Sequence, residues 1–193
     1  MYPTCHPAKA SRYTDRYDAG HVLAEHLALL PLHDAVILAL ARDGVPVGFE
    51  VAAVLHLPLD VVVLPTAGKP HDAELQSREC RRREREYRGI RPAVRVAGRD
   101  VVLVDDGLAT AGPMEAAVKG ARALKASRVI VAAPVGAPDV CWQLMGVADE
   151  VVCPLAPTAF RSVGAYYDDF RAIGDAEVRR ALDHVATPLS WSA

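Results

Sequence analysis

Val101-Val102-Leu103-Val104-Asp105-Asp106-Gly107-Leu108-Ala109-Thr110-Ala111-Gly112-Pro113-Met114 is the stretch whose reading decides the fold. Apolar residues run straight into two adjacent carboxylates. A loop of small residues follows, and Pro113 stands where a helix can begin, because its fixed φ suits the first helical turn. A short unbroken apolar run is a strand covered on both faces. A small-residue loop opening a helix offers unpaired N–H groups and a favourable dipole to an anion, and Thr110 adds a hydroxyl donor. Two carboxylates at a strand end accept hydrogen bonds from a diol, or hold Mg2+ through water. A sugar phosphate satisfies both ends at once. Taken alone, an Asp-Asp-Gly turn is equally a plain strand-to-helix connection with an acidic cap.

The flanking sequence repeats the pattern. Further apolar runs lie at Ala35 to Leu40, Leu59 to Leu64, Arg128 to Ala133 and Glu150 to Cys153. Between and beside them, apolar residues recur at helical spacing over Tyr17 to Leu30, Pro46 to His56, Pro113 to Lys125, Pro138 to Val147 and Asp175 to Val185. Strand and helix in steady alternation predict an α/β fold, a central parallel sheet of about five strands with helices on both faces. Ligands of such sheets sit beyond the carboxyl ends of the strands. The residues that matter are therefore Arg42-Asp43-Gly44, Pro65 to Gly68, Asp105 to Pro113, Pro134 to Gly136 and Pro154 onward.

Bulk composition sets the outer limits. The chain has 193 residues, 51% hydrophobic and 24% charged, enough for one domain with a proper core. A net charge of −2 draws it to neither nucleic acid nor anionic lipid. Cys5, Cys80, Cys141 and Cys153 form no C-x-x-C pair, so a metal cluster is not expected, and Cys141 and Cys153 read as small buried hydrophobes. No run reaches the roughly 18 apolar residues of a membrane span, and the N-terminus has no basic segment leading into an apolar one. A cytoplasmic location is the expectation.

The whole 101–114 stretch resembles the phosphoribosyl diphosphate (PRPP) signature of type I phosphoribosyltransferases. Other blocks extend the likeness in the same order. They are Tyr13-Thr14-Asp15-Arg16-Tyr17-Asp18-Ala19-Gly20, Arg42-Asp43-Gly44-Val45-Pro46-Val47, Tyr87-Arg88-Gly89-Ile90-Arg91-Pro92 and Val163-Gly164-Ala165-Tyr166-Tyr167-Asp168-Asp169-Phe170. Together they look like the predicted phosphoribosyltransferases of bacteria and archaea. The resemblance implies a Rossmann-type type I fold, with residues 1–193 as one domain. Its core would run from about 17 to 155, with a reduced hood from the N- and C-terminal segments.

The resemblance also implies roles. Asp105 and Asp106 would face the ribose hydroxyls and stabilise positive charge at the anomeric carbon. They would also hold Mg2+ through water, as the ion that accompanies PRPP. Gly107, Leu108, Ala109, Thr110, Ala111, Gly112 and Pro113 would line the 5-phosphate. Arg42, Asp43 and Gly44 would flank the leaving diphosphate, with Arg42 assisting its departure.

The sequence departs from the family pattern at four places. The phosphate loop usually ends Thr-Gly-Ala-Thr but here reads Thr110-Ala111-Gly112-Pro113. Either Ala111 is strained at a position wanting φ > 0, or the glycine has shifted by one residue and Pro113 simply starts the helix. Arg-Gly-Gly has become Arg42-Asp43-Gly44, which sets a carboxylate beside the diphosphate position, repulsive unless Mg2+ or Arg42 intervenes. An Arg-Lys pair after the second strand is replaced by Pro65-Thr66. The segment from Glu74 to Tyr87 is shorter than in relatives, whose insert forms a hood and mobile loop. Lost electrostatic donors cost roughly 10²- to 10³-fold each in reactions of this kind.

Arg78 to Arg88 holds six Arg and three Glu. It reads first as a solvated helix laced by Glu79–Arg83, Arg82–Glu86 and Glu84–Arg88 pairs. Some of these arginines are alternatively placed to replace the cations missing at Pro65-Thr66. The aromatic run ending in Phe170 is either a platform for a heterocycle or a packed hood segment.

The functional expectation is a protein that binds a ribose 5-phosphate moiety, as PRPP or a nucleoside monophosphate. If active, it transfers phosphoribosyl to an acceptor in nucleotide metabolism. The alternative is a catalytically silent sensor of PRPP or nucleotides, or a pseudoenzyme subunit. Partners are small molecules, with no nucleic acid and no membrane, and a homodimer is compatible with this reading.

Overall fold

The computed structural model describes residues 12–65 and 73–185. Five parallel strands form one sheet: β1 (Val36–Leu40), β2 (Leu59–Val62), β3 (Asp100–Val104), β4 (Arg128–Ala132) and β5 (Glu150–Val152). Their order is β2-β1-β3-β4-β5. The helices are α1 (Arg16–Leu27), α2 (Gly44–Leu55), α3 (Ala73–Arg88), α4 (Gly112–Ala123), α5 (Pro138–Leu144) and α6 (Asp175–Val185).

Alternation along the strands feeds two cores. Ile37 and Ala39 of β1, Val102 and Val104 of β3 and Ile130 of β4 face α1, α2 and α6, through Leu23, Val47, Val51 and Leu182. Val36, Leu38, Leu103 and Val131 point the other way, toward Met114 and Val118 of α4 and Leu144 of α5. Apolar side chains are thus needed at nearly every strand position, which is why the strands stand out as unbroken runs.

The helix ends follow local chemistry. Asp15 caps α1, its carboxylate accepting from the N–H groups of Tyr17 and Asp18. That helix stops at Leu27, three residues before the end its spacing predicts. Pro31 follows shortly, and the residue before a proline is driven out of the helical region. α2 begins at Gly44 rather than Pro46 and ends on His56 in the left-handed conformation, φ 54°. The arginine-rich helix α3 starts at Ala73, earlier than Arg78, and makes all three expected pairs: Arg83–Glu79 at 3.0 Å, Arg88–Glu84 at 3.5 Å, and Arg82–Glu86.

Because β1 and β3 are neighbours, β1 leads off toward β2 while β3 leads off toward β4 in the opposite direction. The strand order reverses between them. A crevice opens there at the carboxyl ends, where doubly wound sheets bind their ligands. Residues 41–44 and 105–111 meet at this point. No helix among the described residues is long and apolar enough to cross a membrane.

Candidate functional site

The two loops touch at Gly44. A Cβ on that residue would lie 2.7 Å from the Val104 carbonyl oxygen and 2.9 Å from Asp105 Cα. Backbone atoms cannot yield at such distances, so the absence of a side chain lets the start of α2 close against the end of β3.

Asp105 and Asp106 play different parts. Asp105 is half-buried, and its Oδ1 accepts the Asp106 N–H at 2.9 Å. Asp106 is buried at 7% exposure, and its Oδ2 accepts Arg16 Nε at 2.9 Å. Burial, with Asp106 alongside, pushes the Asp105 carboxyl well above the usual carboxylate range. Burial also pushes Asp106 up, to about 6, against the opposing pull of the Arg16 guanidinium.

Arg16, 4% exposed, is the hub of the site. Its NH1 donates to the Arg171 carbonyl at 2.8 Å. Its guanidinium carbon lies 3.9 Å from the centre of the Phe170 ring. Its NH2 stands 3.6 Å from Asp43 Oδ1. The carboxylate of Asp43, repulsive to a diphosphate when alone, is thus met by Arg16 and not by Arg42, which turns to Asp175 at 3.5 Å. The Ala41–Arg42 peptide bond is cis.

The C-terminal segment covers the acidic pair. Tyr167 O–H donates to the Asp106 carbonyl at 2.6 Å, and its ring packs on Tyr13 and Phe170. Tyr13 O–H in turn donates to the Pro134 carbonyl at 2.9 Å. A short 3₁₀ helix, Val163–Tyr166, rests on Gly107, where a Cβ would lie 2.5 Å from Val163 Cγ1. Of the two readings of the aromatic run, the packed hood describes Tyr167, which is buried; Phe170 lies over Arg16 with its ring partly exposed.

The loop after Asp106 divides into an anchor and an open part. Leu108 is buried; its N–H donates to Val135 and its carbonyl accepts from Ala137, both at 2.9 Å. Ala109, Thr110 and Gly112 are exposed. The N–H groups of Ala109, Thr110, Ala111, Gly112 and Met114 have no backbone acceptor among the described residues, as expected where α4 starts. Ala111 has φ −77°, ψ −28°, an ordinary helical conformation, and Pro113 lies in the first turn. The strained alternative for Ala111 is therefore wrong, and the shifted-glycine reading describes the loop.

Beyond Arg42 a cavity of about 510 Å³ opens between the ends of β1 and β2, α3 and α6. Arg42, Arg82, Arg83 and Arg179 line it, with Asp43, Glu86 and Asp175 interspersed. Of the Pro65-Thr66 dipeptide, Thr66 lies outside the described residues.

A family model described as "Phosphoribosyl transferase domain" matches residues 13–142. The chain belongs to this family. A Mycobacterium tuberculosis protein named "Putative phosphoribosyl transferase Rv0571c" is 37% identical over 89% of the chain. The chain spans 46% of that relative's length. A crystal structure of TT1426 from Thermus thermophilus is 38% identical, with a TM-score of 0.77, over 91% of this chain and all of that one. Purine phosphoribosyltransferase from Pyrococcus horikoshii shares the fold at 20% identity and a TM-score of 0.51, over 84% of this chain and 97% of its own. The fold is that of the type I phosphoribosyltransferases.

Within this family frame, the fold brings Asp43, Gly44, Asp105, Asp106 and the loop to Pro113 to one crevice, as their sequence positions imply. Arg16 is the functional residue to which the sequence motifs assign no role; the local signal for it is a lone arginine beside the cap of an otherwise apolar-faced helix.

Proposed function

We propose that this phosphoribosyltransferase-family chain binds the ribose 5-phosphate end of PRPP or of a nucleoside monophosphate between β1 and β3. From PRPP it transfers the phosphoribosyl group to an acceptor: the bond from the anomeric carbon to the acceptor forms as the bond to diphosphate breaks, and diphosphate leaves. The observation that carries the reading is the row of N–H groups from Ala109 to Met114, without a hydrogen-bond partner among the described residues, at the start of α4 and directly after Asp105 and Asp106. Amides at a helix start suit a phosphate monoester. The carboxylate next to them suits the sugar hydroxyls.

Asp105, whose carboxylate is paired with no arginine among the described residues, takes the ribose hydroxyls. Asp106, with one oxygen committed to Arg16, is a weaker ligand and a stronger structural element. As the bond from the anomeric carbon to diphosphate breaks, positive charge grows on the sugar. Fixed carboxylates nearby stabilise it without reorganising. Arg42, at the mouth of the neighbouring cavity, faces the departing diphosphate.

Magnesium fits the site only together with the donor. Among the described residues no three His, Cys, Asp or Glu side chains converge on one point. Mg2+ commonly binds through one or two carboxylates, water and substrate phosphates. Asp105 would hold the ion through water, and the bound ion would supply charge neutralisation on the leaving diphosphate.

The test is an acceptor screen with PRPP and Mg2+, using purine and pyrimidine bases and ammonia, read by diphosphate release. Acceptor-dependent release that is lost in Asp105→Asn supports the transferase. PRPP binding without release from any acceptor favours the silent sensor.

A further inference from the structure

Resting on the phosphoribosyl reading, we infer that α3 and α6 supply a polyanion subsite, in which Arg82, Arg83 and Arg179 act with Arg42 to take the donor's diphosphate. These residues would be specificity-determining: they distinguish a donor with a diphosphate from a plain ribose phosphate.

The cavity beyond Arg42 is of ordinary size for a small-molecule site, at about 510 Å³. It adjoins the crevice, since Arg42 and Asp43 line the cavity while the next residue, Gly44, abuts Asp105. One ligand with an anion at each end can therefore reach from the α4 amides on one side to the arginines on the other. Leu64, two residues past the end of β2 in the same wall, carries no charge. Among the described lining residues, positive charge comes from Arg42 on the β1–α2 loop and otherwise from the helices α3 and α6.

The donors are available. Arg83 uses Nε on Glu79, leaving both terminal nitrogens without a hydrogen bond among the described residues. Arg179 makes no hydrogen bond or ion pair among the described residues, and its interaction is the field it shares with Asp175. Arg82 is held by Glu79 and Glu86, and Arg42 by Asp175, which Tyr87 O–H fixes at 2.7 Å. Arg42, Arg82 and Arg83 are about half exposed, and ion pairs of that exposure contribute little. A diphosphate offering several oxygens can displace Glu86 and Asp175 from their arginines at small cost. Planar guanidinium groups match its oxygens two at a time. Among the described lining residues, the four arginines outnumber the three acids Asp43, Glu86 and Asp175.

The experiment titrates magnesium diphosphate and ribose 5-phosphate separately, by calorimetry, into the parent protein, Arg82→Ala/Arg83→Ala, Arg179→Ala and Arg78→Ala. Arg78 lies on α3 but does not line the cavity. The expected result is a roughly 10- to 100-fold loss of diphosphate affinity in the double variant, the scale of one or two charge-assisted hydrogen bonds. Arg179→Ala shows a smaller loss, and Arg78→Ala stays within about twofold. Ribose 5-phosphate affinity is unchanged throughout. Diphosphate affinity that is absent in the parent, or unaltered in both cavity variants, overturns the inference. Failure of the parent to bind ribose 5-phosphate, with diphosphate binding intact and arginine-dependent, overturns the phosphoribosyl reading and leaves the arginine subsite standing.

Discussion

Arg16 Nε lies 2.9 Å from Asp106 Oδ2, and the two residues, ninety positions apart in sequence, form a buried ion pair beneath the ring of Phe170. Desolvating a charge is costly, and only a close partner repays it. The pair is therefore asymmetric in its consequences: kept whole it fixes the end of β3, and broken it strands a charge.

The first prediction concerns that pair. Arg16→Ala should destabilise the protein by about 3 kcal/mol at pH 7, the lower part of the range for removing one partner of a buried pair. Urea denaturation measures it. The loss should shrink below pH 6, because Asp106 is then protonated in parent and variant alike. A pH-independent loss would mean that packing on Phe170, not charge, holds Arg16.

A second prediction concerns the pH profile. Burial raises both carboxyls, Asp106 from 3.8 to about 6. Between those values the folded state binds protons that the unfolded chain has released, so stability declines as pH rises through that window. Asp105→Asn removes one of the charges while keeping an oxygen to accept the Asp106 N–H. Its Tm at pH 7 should exceed the parent's by about 2–4 °C, the shift that about 1 kcal/mol makes in a domain of this size. The difference should close near pH 4. A lower Tm at pH 7 would contradict the assignment of the raised carboxyls.

Close approach at the crevice yields a third prediction. Gly44→Ala sets a methyl against the Val104 carbonyl and Asp105 Cα, and both are backbone. The expected cost is about 1–3 kcal/mol, as for other overpacked positions, with ligand affinity reduced because the two loops are forced apart. Thermal denaturation alongside a PRPP titration reads both. An Ala variant of full stability would mean the loops are less tightly apposed.

Tyr167 supports the acidic pair through the Asp106 carbonyl. Tyr167→Phe keeps the ring packing on Tyr13 and Phe170 and removes only the O–H. A loss of about 1 kcal/mol in urea denaturation is expected, the net worth of one buried hydrogen bond. No measurable loss would show that the contact is incidental.

The sheet was legible in the sequence because β1 to β5 are covered on both faces, so burial is written as unbroken apolar runs. The α3 ion pairs were legible because i,i+4 spacing is local. The Arg16–Asp106 pair was not, since ninety residues separate its members and no local rule connects them. The choice at Ala111 was likewise beyond the sequence. Both alternatives used the same residues, and only the backbone conformation, ordinary helical φ and ψ, separates them. Arg42 facing Asp175 also depends on where α6 returns to the sheet.

The most direct test of the ribose 5-phosphate site is an amide NMR titration with ribose 5-phosphate, with ribose as the control. The account predicts saturable shifts of the Ala109, Thr110, Gly112 and Met114 amides with ribose 5-phosphate and none with ribose. Those four resonances remaining still, whatever else in the spectrum moves, would contradict it.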